Sequence, residues 1–209
     1  MYFLLTAPHP DDDVIGLGDY VRHIDGDVGV WFMTDGGNPK RRVEATKALN
    51  MIGVRDIYWK TLPFYTRHDR HIDEEDILTC QSILSGIQPS ILAVCYDADP
   101  HETHVKCYNI LRQATQTLKG LETVLLYKSA WSNRTKYPSL PSPWKHWTVR
   151  DRDGKREALA CHESQLSMKV HDGFGGDLLQ RGNLDEEVYL EMSADAFHAL
   201  DACSKNILG

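Results

Sequence analysis

The chain has 209 residues, 42% hydrophobic and 25% charged, which is enough to bury one sizeable core in a single domain over residues 1–209. Its formal net charge of -7 argues against phosphate backbones and anionic lipid surfaces, so neither nucleic acid nor membrane is expected as a partner. Met1 to Pro8 is apolar but too short to cross a bilayer and has no basic leader, and the five scattered cysteines hold no Cys-x-x-Cys pair, so free thiols in the reducing cytoplasm are the expectation.

Tyr2 to Thr6 reads as a short buried strand, and Asp13 to His23 as a helix with Val14, Leu17 and Val21 on one side and Asp12 or Asp13 as its N-cap. Val28 to Thr34 is a second strand, closed by Asp35-Gly36-Gly37. The alternation continues with a helix over Arg41 to Ile52, a strand at Ile57 to Trp59, a helix over Glu74 to Gly86 and a strand at Ile91 to Tyr96. A helix over Thr103 to Lys119 and a strand at Thr123 to Tyr127 follow. Such alternation predicts an α/β, Rossmann-like three-layer fold with a mostly parallel sheet, and ligands in such sheets bind beyond the carboxyl ends of the strands.

Ser132 to Trp147, with Pro138, Pro141 and Pro143 among Tyr and Trp residues, reads as an irregular aromatic loop, its rings either ordinary loop packing or a wall for a substrate. A helix over Lys155 to Met168 comes next, and then the glycine-rich segment His171 to Gly176. No Gly-x-Gly-x-x-Gly follows the first strand, which argues against a dinucleotide-binding oxidoreductase.

The first strand delivers His9, Asp11, Asp12 and Asp13 to one sheet edge. Three clustered aspartates repel one another, and a divalent cation relieves that repulsion while accepting both imidazole and carboxylate, which makes His9 and Asp12 candidate ligands. The fourth strand delivers His101-Glu102-Thr103-His104 to the same edge. One histidine of that pair completes a three-residue ligand set, with a fourth position for water, and the other is left to act on substrate. Arg41 alone reads as a solvated helix charge with Glu44 as a candidate ion-pair partner, and His162 as packing.

These blocks resemble the PIG-L or LmbE-like deacetylases, zinc hydrolases that remove acyl groups from N-acyl sugars. Ala7 to Gly18 is similar to the family's opening signature, with Asp13 where the family has Glu and Asp19 where it commonly has glycine. Thr34-Asp35-Gly36 with Arg41 to Glu44 resembles the second block, His101 to His104 the third, and Lys155 to Gln165 the late block with its Lys, Ala and His-x-Ser-Gln. The resemblance implies a zinc ion on His9, Asp12 and His104, Asp11 as general base, His101 as a catalytic histidine and Arg41 as a substrate contact. It implies N-deacetylation of an N-acetylglucosamine-type sugar or conjugate. A thiol-sugar conjugate, another N-acyl metabolite, or a metal-dependent binding protein without turnover are alternatives, and a homo-oligomer stays open. Thr103 stands where the family has the Asp that orients the catalytic imidazole, so Asp97, Asp99 or Glu102 would have to replace it.

Overall fold

The computed structural model describes residues 1–34, 38–96, 101–129, 144–166 and 184–200. Seven strands form one sheet: β1 (Tyr2–Ala7), β2 (Asp27–Phe32), β3 (Asp56–Trp59), β4 (Ile91–Cys95), β5 (Thr123–Tyr127), β6 (Lys145–Thr148) and β7 (Glu186–Ser193). Their order is β3-β2-β1-β4-β5-β7-β6. The first five are parallel, whereas β7 runs antiparallel to β5 and β6 antiparallel to β7. The protein is therefore a single α/β domain with a mostly parallel sheet. The chain winds outward from β1 in both directions, so the crevice between β1 and β4 is the point at which strand order reverses and where ligands of such sheets sit.

Side chains of β1 alternate between two cores, as the pleat requires. Phe3, Leu5 and Ala7 pack with α1 (Asp12–His23), α2 (Pro39–Met51) and α6 (Arg152–Ala160). Leu4, Leu92 and Val94 face the other layer, built on α4 (Glu74–Ile87) and α5 (Glu102–Ala114). A short α3 (Pro63–Thr66) precedes α4, and a 3-10 turn, Thr115–Thr117, ends α5. No helix among the described residues is long and apolar enough to cross a membrane.

Several expectations need correction. Strand β6 begins inside the segment expected to be an irregular loop, where Lys145 to Thr148 gain ladder bonds from β7, while residues 130–143 lie outside those described. The helix expected over Lys155 to Met168 is two helices, α6 and α7 (Glu163–Leu166), separated by a turn at Cys161 and His162, and residues 167–183, including the glycine-rich segment, lie outside those described. Helix α1 is capped by neither Asp12 nor Asp13, because its N-cap is Asp11, which makes no side-chain capping bond. The helix is also not continuous, since Leu17 has φ -139° and ψ 24°.

Candidate active site

The chain leaves β1 at Ala7, and Met33 N–H donates to Ala7 O at 2.9 Å, while the Thr34 hydroxyl donates to Pro8 O. The end of β2 thus fixes the His9 turn. Asp11 holds φ 153°, a backbone conformation that L-residues rarely adopt, and such strain persists only where the surroundings over-determine it. Helix α1 starts immediately afterwards with Asp12 and Asp13, both buried.

Asp12 turns back into the turn instead of outward: its Oδ2 accepts His9 N–H at 2.8 Å and lies 3.3 Å from His9 Nδ1 and 3.1 Å from His104 Nε2. The two ring nitrogens are 3.0 Å apart. His104 arrives from the first turn of α5, which starts at the carboxyl end of β4. Its opposite nitrogen, Nδ1, is 3.4 Å from Ser129 Oγ and 3.7 Å from Cys95 Sγ. A proton on Nδ1 leaves the Nε2 lone pair facing His9 and Asp12. Burial pushes the Asp12 carboxyl up, but His104 and His9 outweigh it and hold it well below the usual carboxylate range. Burial lowers His9. One imidazole nitrogen from each of two histidines and one carboxylate oxygen, pairwise 3.0–3.3 Å apart, make the face of a small tetrahedron. Ligands held at about 2.0–2.2 Å from a zinc ion are separated by about 3.3 Å, so this donor set fits a divalent metal.

His101, exposed at the N-cap of α5, stands against the same three residues: its ring centroid is 4.8 Å from that of His9 and 4.6 Å from that of His104. Donor atoms of His9, His101 and His104 all lie within 4.8 Å of one another, a looser cluster than the one closed by Asp12. Burial, and next the neighbouring His104, lower His101 to about 4. Of the acidic residues considered as its orienting partner, Asp97 and Asp99 lie outside the described residues, and Glu102 is ion-paired to Lys106. Thr103 is buried.

Arg41 does not pair with Glu44. Its guanidinium donates to Pro10 O at 3.0 Å and to Asp11 Oδ1 at 3.3 Å, which brings α2 onto the His9 turn. Glu44, one turn further on, is buried and accepts Ser164 N–H at 2.9 Å and the Ser164 hydroxyl at 2.5 Å. His162 is fully buried, and neither ring nitrogen has a partner among the described residues; burial and the Arg41 charge lower it to about 4. Asp13 is likewise buried with neither oxygen partnered among the described residues, and burial followed by the Asp11 charge pushes it up to about 8. His68 and His71 are exposed, and His171 lies outside the described residues.

All six expected site residues, His9, Asp11, Asp12, Arg41, His101 and His104, therefore converge at the carboxyl ends of β1 and β4. Sequence reading gave no role to Ser129, Cys95 or Glu187; Lys155 and Ser164 stood in the late block and Glu44 in the second, but the pairings of Lys155 with Glu187 and of Ser164 with Glu44 carried no signal.

The family model described as PIG-L, GlcNAc-PI de-N-acetylase, matches residues 4–115, more than half of the chain. The protein belongs to the PIG-L family. Solved structures extend the likeness to nearly the whole chain of this PIG-L family member. The deacetylase of the teicoplanin biosynthesis pathway matches with a TM-score of 0.67 at 16% identity, covering 93% of this chain and 99% of that one. The N,N'-diacetylchitobiose deacetylase from Pyrococcus horikoshii matches with a TM-score of 0.64 at 19% identity, covering 97% and 87%. The zinc-inhibited form of the teicoplanin deacetylase Orf2 gives 0.66 at 16%, covering 93% and 99%. At such identities these likenesses establish the fold. No curated protein matches the chain.

Proposed function

We propose that this PIG-L family member is a zinc-dependent N-deacetylase that releases a short acyl group, acetate in the simplest case, from the amide nitrogen of an N-acetylglucosamine-type sugar or sugar conjugate. The observation that carries the reading is the triangle of His9 Nδ1, Asp12 Oδ2 and His104 Nε2, with Asp11 next to it in the chain. Those three residues would hold the ion. When bound, zinc would polarise the acyl carbonyl and bring the pKa of its water to about 7.

The remaining steps belong to the chain's own groups. Asp11 takes a proton from the attacking water, and the strained backbone with the Arg41 contact at Oδ1 fixes the carboxylate for that task. His101, against His9 and His104, donates a hydrogen bond to the charge developing on the acyl oxygen. Asp11 then returns its proton to the nitrogen as the C–N bond breaks. The products are a free amine and a carboxylate carrying the water oxygen. Arg41 contacts the substrate at the rim. The four cysteines among the described residues, Cys80, Cys95, Cys107 and Cys161, are free and buried, which suits a reducing compartment that we take to be the cytoplasm.

Metal analysis of the purified protein, combined with amine release from a panel of N-acetylated sugars, thiol-sugar conjugates and simple N-acyl metabolites, tests the reading. Near-stoichiometric metal and chelator-sensitive release from the sugars are expected. Full activity in metal-free protein would overturn it, and release from non-sugar amides alone would move the substrate class.

A further inference from the structure

We infer that Lys155 and Glu187 are positioning residues for the metal-binding turn, because their buried ion pair takes the place of a main-chain hydrogen bond missing from α1 and thereby sets where Asp11 and Asp12 stand. The inference rests on the ligand assignment proposed above.

In an unbroken helix the Asp19 N–H would donate to the Ile15 carbonyl. Here the helix is broken at Leu17, and each group finds a different partner. Asp19 N–H donates to Glu187 Oε1 at 2.8 Å, and Tyr20 N–H donates to Glu187 Oε2 at 2.7 Å. The Ile15 carbonyl accepts from Lys155 Nζ at 3.3 Å, and Lys155 Nζ donates to Glu187 Oε1 at 2.6 Å. Carbonyl, ammonium, carboxylate and amide thus run in series across the gap. Side-chain insertion into the helical ladder is a recognised cause of a kink. The two inserted side chains come from α6 and β7, and both are wholly buried.

Two further observations connect this splice to the site. Ile15 N–H donates to Asp11 O at 3.0 Å, so a single residue links the main chain of Asp11 to the Lys155 ammonium. The Asp19 carboxylate accepts Trp147 Nε1–H at 2.8 Å and the N–H groups of Arg150 and Asp151 at 2.9 Å, and Asp151 is the N-cap of α6. Lys155 therefore projects from a helix that is itself tied to α1. A buried ion pair is a poor device for stability alone, since a hydrophobic pair of similar volume is often as stable or better. What it supplies is a fixed geometry, with donors and acceptors only where the broken helix needs them.

The test compares Lys155→Met, Glu187→Gln and the double variant with wild type and with Leu111→Ala, a buried control in the core on the other face of the sheet. Glu187→Gln keeps an acceptor for Asp19 N–H and is the variant best placed to fold. Zinc affinity is measured by competition with a chromogenic chelator, the visible spectrum is recorded on cobalt-substituted protein, and Tm is measured by calorimetry. In the folded Lys155 and Glu187 variants zinc should bind at least tenfold more weakly with an altered cobalt spectrum, while Leu111→Ala loses thermal stability but keeps both. Wild-type affinity and spectrum in any folded Lys155 or Glu187 variant would overturn the inference, as would an equal loss of affinity in Leu111→Ala. Wild-type protein that binds no metal would instead remove the ligand assignment, and the inference with it.

Discussion

His9 Nδ1 and His104 Nε2 lie 3.0 Å apart although 95 residues separate them, and the Asp12 carboxylate faces both. Two imidazole nitrogens at that distance share either a proton or a cation. Zinc should therefore raise the thermal midpoint in proportion to the logarithm of its free concentration, and His104→Ala should abolish that dependence. A midpoint that rises equally in wild type and His104→Ala would place the ion elsewhere.

Asp11 is adjacent to the proposed ligand Asp12, and its Oδ1 accepts from the Arg41 guanidinium at 3.3 Å. Asp11→Asn should retain zinc near wild-type stoichiometry and lose about 10²- to 10⁴-fold in turnover, the usual range for a positioned base. Metal analysis and steady-state kinetics on the same preparation check it, and unchanged turnover would remove Asp11 from the base role.

Glu44 anchors α2 to Ser164 in α7 through both of its oxygens, and Arg41 lies one turn before it. Ser164→Ala deletes a hydrogen bond to a charged group, worth about 1.5 kcal/mol. Transmitted to Arg41, that loss should raise KM up to about tenfold with little change in kcat and none in zinc affinity. Ser164→Thr, which keeps the hydroxyl, should recover most of it.

His162 is neutral in the fold, lowered to about 4 against 6.5 when exposed. Between those values the unfolded chain binds a proton that the folded chain does not. Its contribution is complete above about pH 6.5 and is lost as pH falls toward about 4, at up to about 1.4 kcal/mol per pH unit. Urea midpoints between pH 7 and 4 should fall accordingly, and His162→Leu should flatten that slope; an unchanged slope would assign the acid sensitivity to other groups.

Gly16 lies under the Tyr127 ring, and a Cβ there would clash with Tyr127 Cδ2. Gly16→Ala should cost about 1–3 kcal/mol, an overpacking penalty, and lower Tm by about 2–4 °C per kcal/mol. Adding Tyr127→Leu should recover part of the loss, giving a favourable coupling in a double-mutant cycle.

The parallel half of the fold was legible because β1, β2, β4 and β5 are continuous apolar runs ending in polar turns, the pattern of strands buried on both faces. The antiparallel edge was not. Lys145 to Thr148 have no apolar alternation, and β7 carries Glu187 inward, where a charge reads as solvent-facing until its Lys155 partner is known. The site was legible for a related reason: His9 to Asp13 and His101 to His104 are two short local clusters, and a parallel sheet places strand ends together. Glu44 with Ser164, 120 residues apart, and Lys155 with Glu187, 32 apart, depend on packing that no local spacing encodes. The α1 break was invisible because its apolar positions keep helical spacing across Leu17.

Strand β7 covers the outer edge of β5 and also delivers Glu187 to α1. The stretch recognisable as PIG-L stops at residue 115, before β5 and β7, so the recognisable part and the autonomous part of this protein have different boundaries. A fragment cut at 115 would contain every proposed ligand yet expose the flank of β4 and leave α1 unspliced. Portability of the chemistry to another scaffold therefore requires the C-terminal half, which holds none of the three proposed ligands and supplies the frame.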